Sequence, residues 1–148
     1  MTKPYPTIIP GLRSPYDQVG GIVYFGRMLD KIRLNAEGKL PEEWAALAGH
    51  GNKGGFDMRC CSFLHVDYAD VVAEALENER DEEVLAWAFE KGRKPSEEEI
   101  EIWNAFMTKR GWRDVSSQRV KERLVEIGLE PDTVQTFFDY IDLDEGRR

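Results

Sequence analysis

The sequence predicts an all-α fold, and three observations carry that prediction. Apolar residues recur at helical spacing, as in Val84, Leu85, Ala88 and Phe89, in Ile100, Trp103, Phe106 and Met107, and in Val134, Phe137, Phe138 and Ile141. Helix start and stop signals bracket these stretches, the fullest being a capping box of Ser96 with Glu99. Alternating strand patterns are almost absent. The expectation is one domain over residues 1–148, with about seven or eight short helices and an extended, proline-containing N-terminal arm over residues 1–14.

In the arm, Pro4, Pro6 and Pro10 exclude helix, and Tyr5, Ile8, Ile9 and Leu12 between them suit a segment packed on the body. Ser14, Pro15 and Asp17 then read as a helix start, and Gly20-Gly21 as its break before a main helix that runs to about Ala36. Pro41 to Ala48 reads as a short helix stopped by Gly49, followed by the loop GHGNKGG. Further helices are expected from Phe56 to about His65, and from a cap at Asp67 to Asn78. A cap at Asp81 opens the next, through Lys91 to a stop at Gly92. After the capping box, a helix runs to Arg110 and Gly111, Ser117 and Gly128 bracket another, and Pro131 starts the last.

Composition narrows the function classes. The chain has 148 residues and a formal net charge of −8, which argues against nucleic acid and against an anionic membrane surface, since both need a cationic field. No stretch resembles a signal peptide or membrane span, so the expected location is cytoplasmic. Cys60 and Cys61 are adjacent, a poor geometry for a bridge, and read as reduced thiols.

The segment Arg13 to Arg33 sets charge into an otherwise apolar stretch. Stepped at 100° per residue, Ile22, Phe25, Met28, Leu29, Ile32 and Ala36 share one broad face, while Val23 and Leu34 point the other way. A helix apolar on two sides is packed on two sides and therefore central. Asp30 lies three residues from both Arg27 and Arg33, with Lys31 one turn beyond Arg27. The functional reading is a semi-buried cationic site, Asp30 orienting the arginines towards a carboxylate or phosphate; the plain reading is an ion-pair network fixing the central helix. His50 and Lys53 sit in the glycine-rich loop ahead of a helix N-terminus, an arrangement that suits an anion but lacks the P-loop's Ser or Thr.

No residue set calls for a metal or cofactor. Asp57, Cys61 and His65 share a stripe at ligand spacing, but a closed site needs four ligands and the chain has two histidines and two cysteines. The tail Asp139, Asp142, Asp144 and Glu145 lacks the glycine and glutamate of an EF-hand loop and reads as a solvated acidic helix end. Trp44, Trp87 and Trp103 fall at core spacing, and Trp112, after Gly111, is the tryptophan expected at the surface.

The stretches RSP…GGIVYFGRMLDKIR, GFDMRCCSFLHVDY and DEEVLAWAF resemble a bacterial family of domains of unknown function, numbered 5069. Its opening pattern, an RSP turn, a double glycine and an R-M-x-D-K-x-R helix, is matched by Arg13, Gly20, Gly21, Arg27, Met28, Asp30, Lys31 and Arg33. Relatives often carry proline where this chain has Gly26, and either residue delays the regular helix to about that position. The resemblance implies no activity.

The leading expectation is a non-catalytic helical domain that binds a small anionic ligand or a protein partner, with Arg13, Arg27, Asp30, Lys31, Arg33, His50 and Lys53 as site residues. The alternatives are an enzyme whose pocket joins Arg27 and Asp30 to His50 or Cys61, and a structural or adaptor subunit. Oligomeric state is left open.

Overall fold

A computed structural model describes residues 4–49 and 55–148. Among these residues are eight helices and one two-stranded hairpin, so the chain is mostly helical, as its periodicity predicts.

The hairpin corrects the expected opening helix. Ser14-Pro15-Asp17 makes a turn, with the Asp17 amide donating to the Ser14 carbonyl at 3.1 Å. Strands β1 (Gln18–Val19) and β2 (Ile22–Val23) then pair antiparallel. Gly20 and Gly21 carry φ of 58° and 81°, the doubly left-handed geometry of the tightest two-residue hairpin loop, which glycine adopts without steric cost. The double glycine between Gln18-Val19 and Ile22-Val23 is thus a hairpin loop, and Ile22 and Val23 belong to a strand.

Helix α1 (Phe25–Ala36) is central. Phe25, Met28, Leu29 and Ile32 enter the main apolar cluster with Leu64, Val71, Val84, Met107 and Phe138. Leu34 points away and packs with Ile9, Leu12 and Leu40, so the arm covers the second side. The arm is further tied by the Thr7 amide, which donates to the Asp144 carbonyl at 2.6 Å.

Around α1 stand α2 (Glu42–Leu47), α3 (Phe56–Leu64), α4 (Tyr68–Glu77), α5 (Asp81–Lys91), α6 (Glu97–Lys109), α7 (Ser117–Glu126) and α8 (Phe137–Asp144). The Ser96–Glu99 capping box forms with both reciprocal bonds. Helix α8 starts later than Pro131 suggests, because the Thr136 hydroxyl accepts the Asp139 amide at 3.1 Å and caps the helix there. Residues 120–140 build a second cluster of Val120, Leu124, Ile127, Val134 and Tyr140, while Phe138 reaches the main core.

Trp103 is buried, Trp44 and Trp87 are partly buried, and Trp112 is exposed, as spacing predicts. Both cysteines are free and buried. No described helix is long and apolar enough to cross a membrane.

Candidate functional site

The charges of α1 divide by helix face. Asp30 and Arg33 turn towards the arm and the α4–α5 corner, whereas Arg27 and Lys31, one turn apart, turn towards a cavity.

On the first side, Asp30 does not orient Arg27 or Arg33. Its carboxylate accepts three bonds from Arg13: the backbone amide at 3.0 Å, Nε at 2.9 Å and Nη2 at 2.9 Å. Arg13 Nη1 also meets Asp81 at 2.8 Å, and Arg33 Nη1 reaches the other Asp81 oxygen at 2.6 Å. Arg33 further donates to the carbonyls of Ala75 and Asn78, satisfying the C-terminal end of α4. Asp81 therefore serves two arginines rather than a helix cap. Helical spacing put Asp30 near its own neighbours, but Arg13 reaches it with a bidentate fork and its own backbone amide together. Gly26 makes room for it, since a Cβ there would come within 2.7 Å of Arg13 Cζ. Arg13, Asp30 and Arg33 form a clasp between arm, α1, α4 and α5, and none of them lines the cavity.

On the other side, the cavity of about 390 Å³ lies between α1, α2, α3 and α8. Trp44, Leu47, Phe56, Tyr140 and Ile141 supply apolar wall, and Tyr24, Arg27, Lys31 and Asp57 supply polar groups. His50 and Lys53 lie outside the described residues, although Gly49 and Gly55 on either side of that loop both line the cavity. Cys61 lines a separate depression with His65 and Asp67, and touches Met28 Sδ at 4.0 Å. Burial pushes its thiol up to about 12.

Arg27 is held from below by Glu145. Nη1 and Nη2 donate to the two carboxylate oxygens at 2.7 and 2.6 Å, with side-chain exposures of 5% and 3%. Burial alone would lower the guanidinium pKa, and the bonds and charge of Glu145 more than offset it. Arg147 also reaches Glu145 at 2.6 Å and Asp142 at 3.1 Å, and Asp142 accepts the Ser14 hydroxyl at 3.0 Å. Asp142, Asp144 and Glu145 are thus buried rather than solvated, with Asp142 and Glu145 neutralising the cations that α1 and the chain end bring, while Asp139 stays partly exposed. Arg27 lies too deep to meet a protein partner at a flat surface.

Lys31, Tyr24 and Asp57 form the second polar group. Lys31 Nζ donates to Tyr24 Oη at 3.0 Å and to Asp57 Oδ2 at 2.9 Å; Tyr24 Oη donates to Asp57 Oδ1 at 2.7 Å; the Gly49 amide donates to Asp57 Oδ2 at 2.9 Å. Burial drives the Lys31 pKa down and the Tyr24 pKa up. Burial would raise Asp57 too, but Lys31, Gly49 and Tyr24 together hold it below the usual carboxylate value. Tyr24 caps α1 with φ of 75°, a left-handed conformation that costs a non-glycine residue roughly 1–3 kcal/mol and that surrounding structure must enforce. Its ring is fixed between Phe56 and Phe138, with centroids 5.5 and 6.2 Å away.

Sequence reasoning therefore named Arg27 and Lys31 among the lining residues and missed Tyr24, Trp44, Asp57 and Glu145 as site residues. Asp57 was in view only as part of a metal stripe with Cys61 and His65; its carboxylate instead faces Lys31. The available signal was its place in the first turn of α3, just after the glycine-rich loop. Among the described residues, no group of three or more His, Cys, Asp or Glu is placed to hold a metal ion.

A comparison with curated proteins returned no match. Residues 9–147 match the family described as Domain of unknown function (DUF5069), a span that takes in the clasp, the hairpin and the described cavity wall from Tyr24 to Glu145, and the chain belongs to that family.

Proposed function

We propose that the protein binds a small organic ligand in this cavity, one with an apolar or aromatic body and a single oxygen-acceptor head, carboxylate or carbonyl. The observation that carries the reading is the Lys31 ammonium at the edge of a cavity of about 390 Å³ whose walls include Trp44, Phe56 and Tyr140. That size and that mix of apolar wall with few convergent polar groups suit a small molecule. The charge balance sets the head. The described lining brings three cations, Arg27, Lys31 and Arg123, against four carboxylates, Glu43, Asp57, Asp144 and Glu145. A multiply charged phosphate would meet net repulsion there, whereas a head of one charge or none would not.

Calorimetric titration tests this with sodium benzoate and benzaldehyde set against inorganic phosphate and a phosphorylated sugar. The monoacid and the aldehyde should bind more tightly than the phosphates. Lys31→Met should weaken benzoate by about tenfold or more, through the loss of a charge-assisted contact, while Lys39→Met, at an exposed position, should not. Tighter phosphate binding would overturn the reading.

A second reading, a docking face for a second copy of this chain, rests on the concentration of exposed apolar residues along residues 102–115, where Ile102, Phe106, Trp112 and Val115 are all exposed. Light scattering after size-exclusion chromatography would reveal association through that face, and Ile102→Lys should abolish it.

A further inference from the structure

Among the described residues that line the cavity, Lys31 carries the sole amine. It is mostly covered, with 14% of its side chain exposed, and its nitrogen sits 3.0 Å from the Tyr24 hydroxyl and 2.9 Å from Asp57 Oδ2. Tyr24 Oη itself contacts Asp57 Oδ1 at 2.7 Å. Amine, phenol and carboxylate thus form a closed path for protons at the wall of a small-molecule cavity. Phe56 and Phe138, packed on the Tyr24 ring, fix the phenol in that path. Burial outweighs the opposing charge and hydrogen bond of Asp57 and, with the nearby Arg27 charge, lowers the Lys31 pKa towards the neutral amine, the form that attacks a carbonyl.

We infer that Lys31 captures an aldehyde or ketone ligand covalently, as an imine. The inference rests on the binding reading given above and adds a bond to it. The Lys31 ammonium first passes one proton to the Asp57 carboxylate. The freed lone pair forms the C–N bond while the carbonyl π pair moves onto oxygen. Tyr24 Oη–H protonates that oxygen and is refilled from the new N–H⁺, which leaves a neutral carbinolamine. The proton held on Asp57 then reaches the carbinolamine hydroxyl through Tyr24. Water leaves as the nitrogen lone pair makes the C=N bond. Amine and carbonyl become a protonated imine and water, nothing is oxidised or reduced, and the positive charge at residue 31 returns to its pairing with Asp57. The walls that Trp44, Phe56 and Tyr140 provide select an aromatic carbonyl compound over a charged sugar.

Reductive trapping tests the bond in the unaltered chain. The protein is incubated with benzaldehyde and sodium cyanoborohydride, and the adduct is located by peptide mass mapping. A benzyl adduct should appear on Lys31 at least about tenfold faster than on the exposed Lys39, because the cavity raises the local concentration of the carbonyl. Tyr24→Phe, which keeps the ring, should slow trapping at saturating benzaldehyde by about a hundredfold, since the proton relay is lost. Lys31→Arg should remove the adduct. Labelling spread over surface lysines with Lys31 unmodified would overturn the inference, as would an unchanged rate in Tyr24→Phe. Benzoate bound by calorimetry with no Lys31 adduct would overturn the covalent step and leave the binding reading standing. Failure of both compounds to bind would overturn both.

Discussion

Cutting the Arg27–Glu145 pair should destabilise the chain by an amount that depends on which partner is removed. Both side chains are almost fully buried and share two short bonds of 2.7 and 2.6 Å. Breaking such a pair from one side typically costs about 3–5 kcal/mol, because the survivor is left charged without compensation. The two sides are unequal here. After Arg27→Ala, Glu145 keeps Arg147 at 2.6 Å, which places the loss near ~3 kcal/mol. After Glu145→Ala, the hydrogen bond that remains to Arg27 among the described residues is the Arg13 carbonyl, at 3.1 Å, which places the loss near ~5 kcal/mol. For a chain of 148 residues, each kcal/mol lowers Tm by roughly 2–4 °C, so the losses are about 6–12 and 10–20 °C. Urea unfolding followed by far-ultraviolet circular dichroism measures both variants. The double variant Arg27→Met/Glu145→Leu should recover most of the loss and unfold within about 1–2 kcal/mol of the parent, since apolar groups of similar volume need no partner. The reasoning is refuted if either single variant loses less than about 1 kcal/mol, or if the double variant loses the sum of the two.

Two further outcomes follow from the same groups. Asp57 and Asp81 have folded-state pKa values below the usual 3.8, Asp81 because its bonds to Arg33 and Arg13 outweigh its burial. The folded chain therefore binds fewer protons than the unfolded chain in that range, and the stability these groups supply is present above pH 3.8 and lost as pH falls through their lower folded values. Urea midpoints measured from pH 6 down to pH 2 should fall below about pH 4, and Asp81→Asn should flatten that fall. Cys60 and Cys61 are buried with pKa values pushed up, Cys61 to about 12; a thiol reagent at pH 8 should leave the native chain unmodified for hours and label both residues at once in urea. Rapid native labelling would refute their placement.

Much of the fold was legible in the chain. The stripes on α5, on α6 at Ile100, Trp103 and Met107 and on α8 at Phe137, Phe138 and Ile141, the capping box at Ser96 and the two-sided apolar pattern of α1 all rest on local pattern. Phe106, by contrast, is exposed, and Val134 precedes α8. The two opening errors share one cause. Ser14-Pro15-Asp17 and Gly20-Gly21 suit either a helix start and break or a turn and hairpin loop, and only the pairing of β1 with β2 chooses between them. Thr136 prevailed over Pro131 as the start of α8 because its hydroxyl found the Asp139 amide.

The site divides in the same way. Sequence alone determined that α1 carries buried charge in the middle of the molecule, because a cation flanked by Phe25, Met28, Leu29 and Ile32 follows those residues inward. Tertiary structure decided the partners. Asp30 took Arg13 from the arm, Arg33 took Asp81, Arg27 took Glu145 from beyond α8, and Lys31 took Asp57 from α3. A desolvated charge needs the best-placed counter-charge available in space, and sequence separations of 17, 26, 48 and 118 residues lie beyond any local rule.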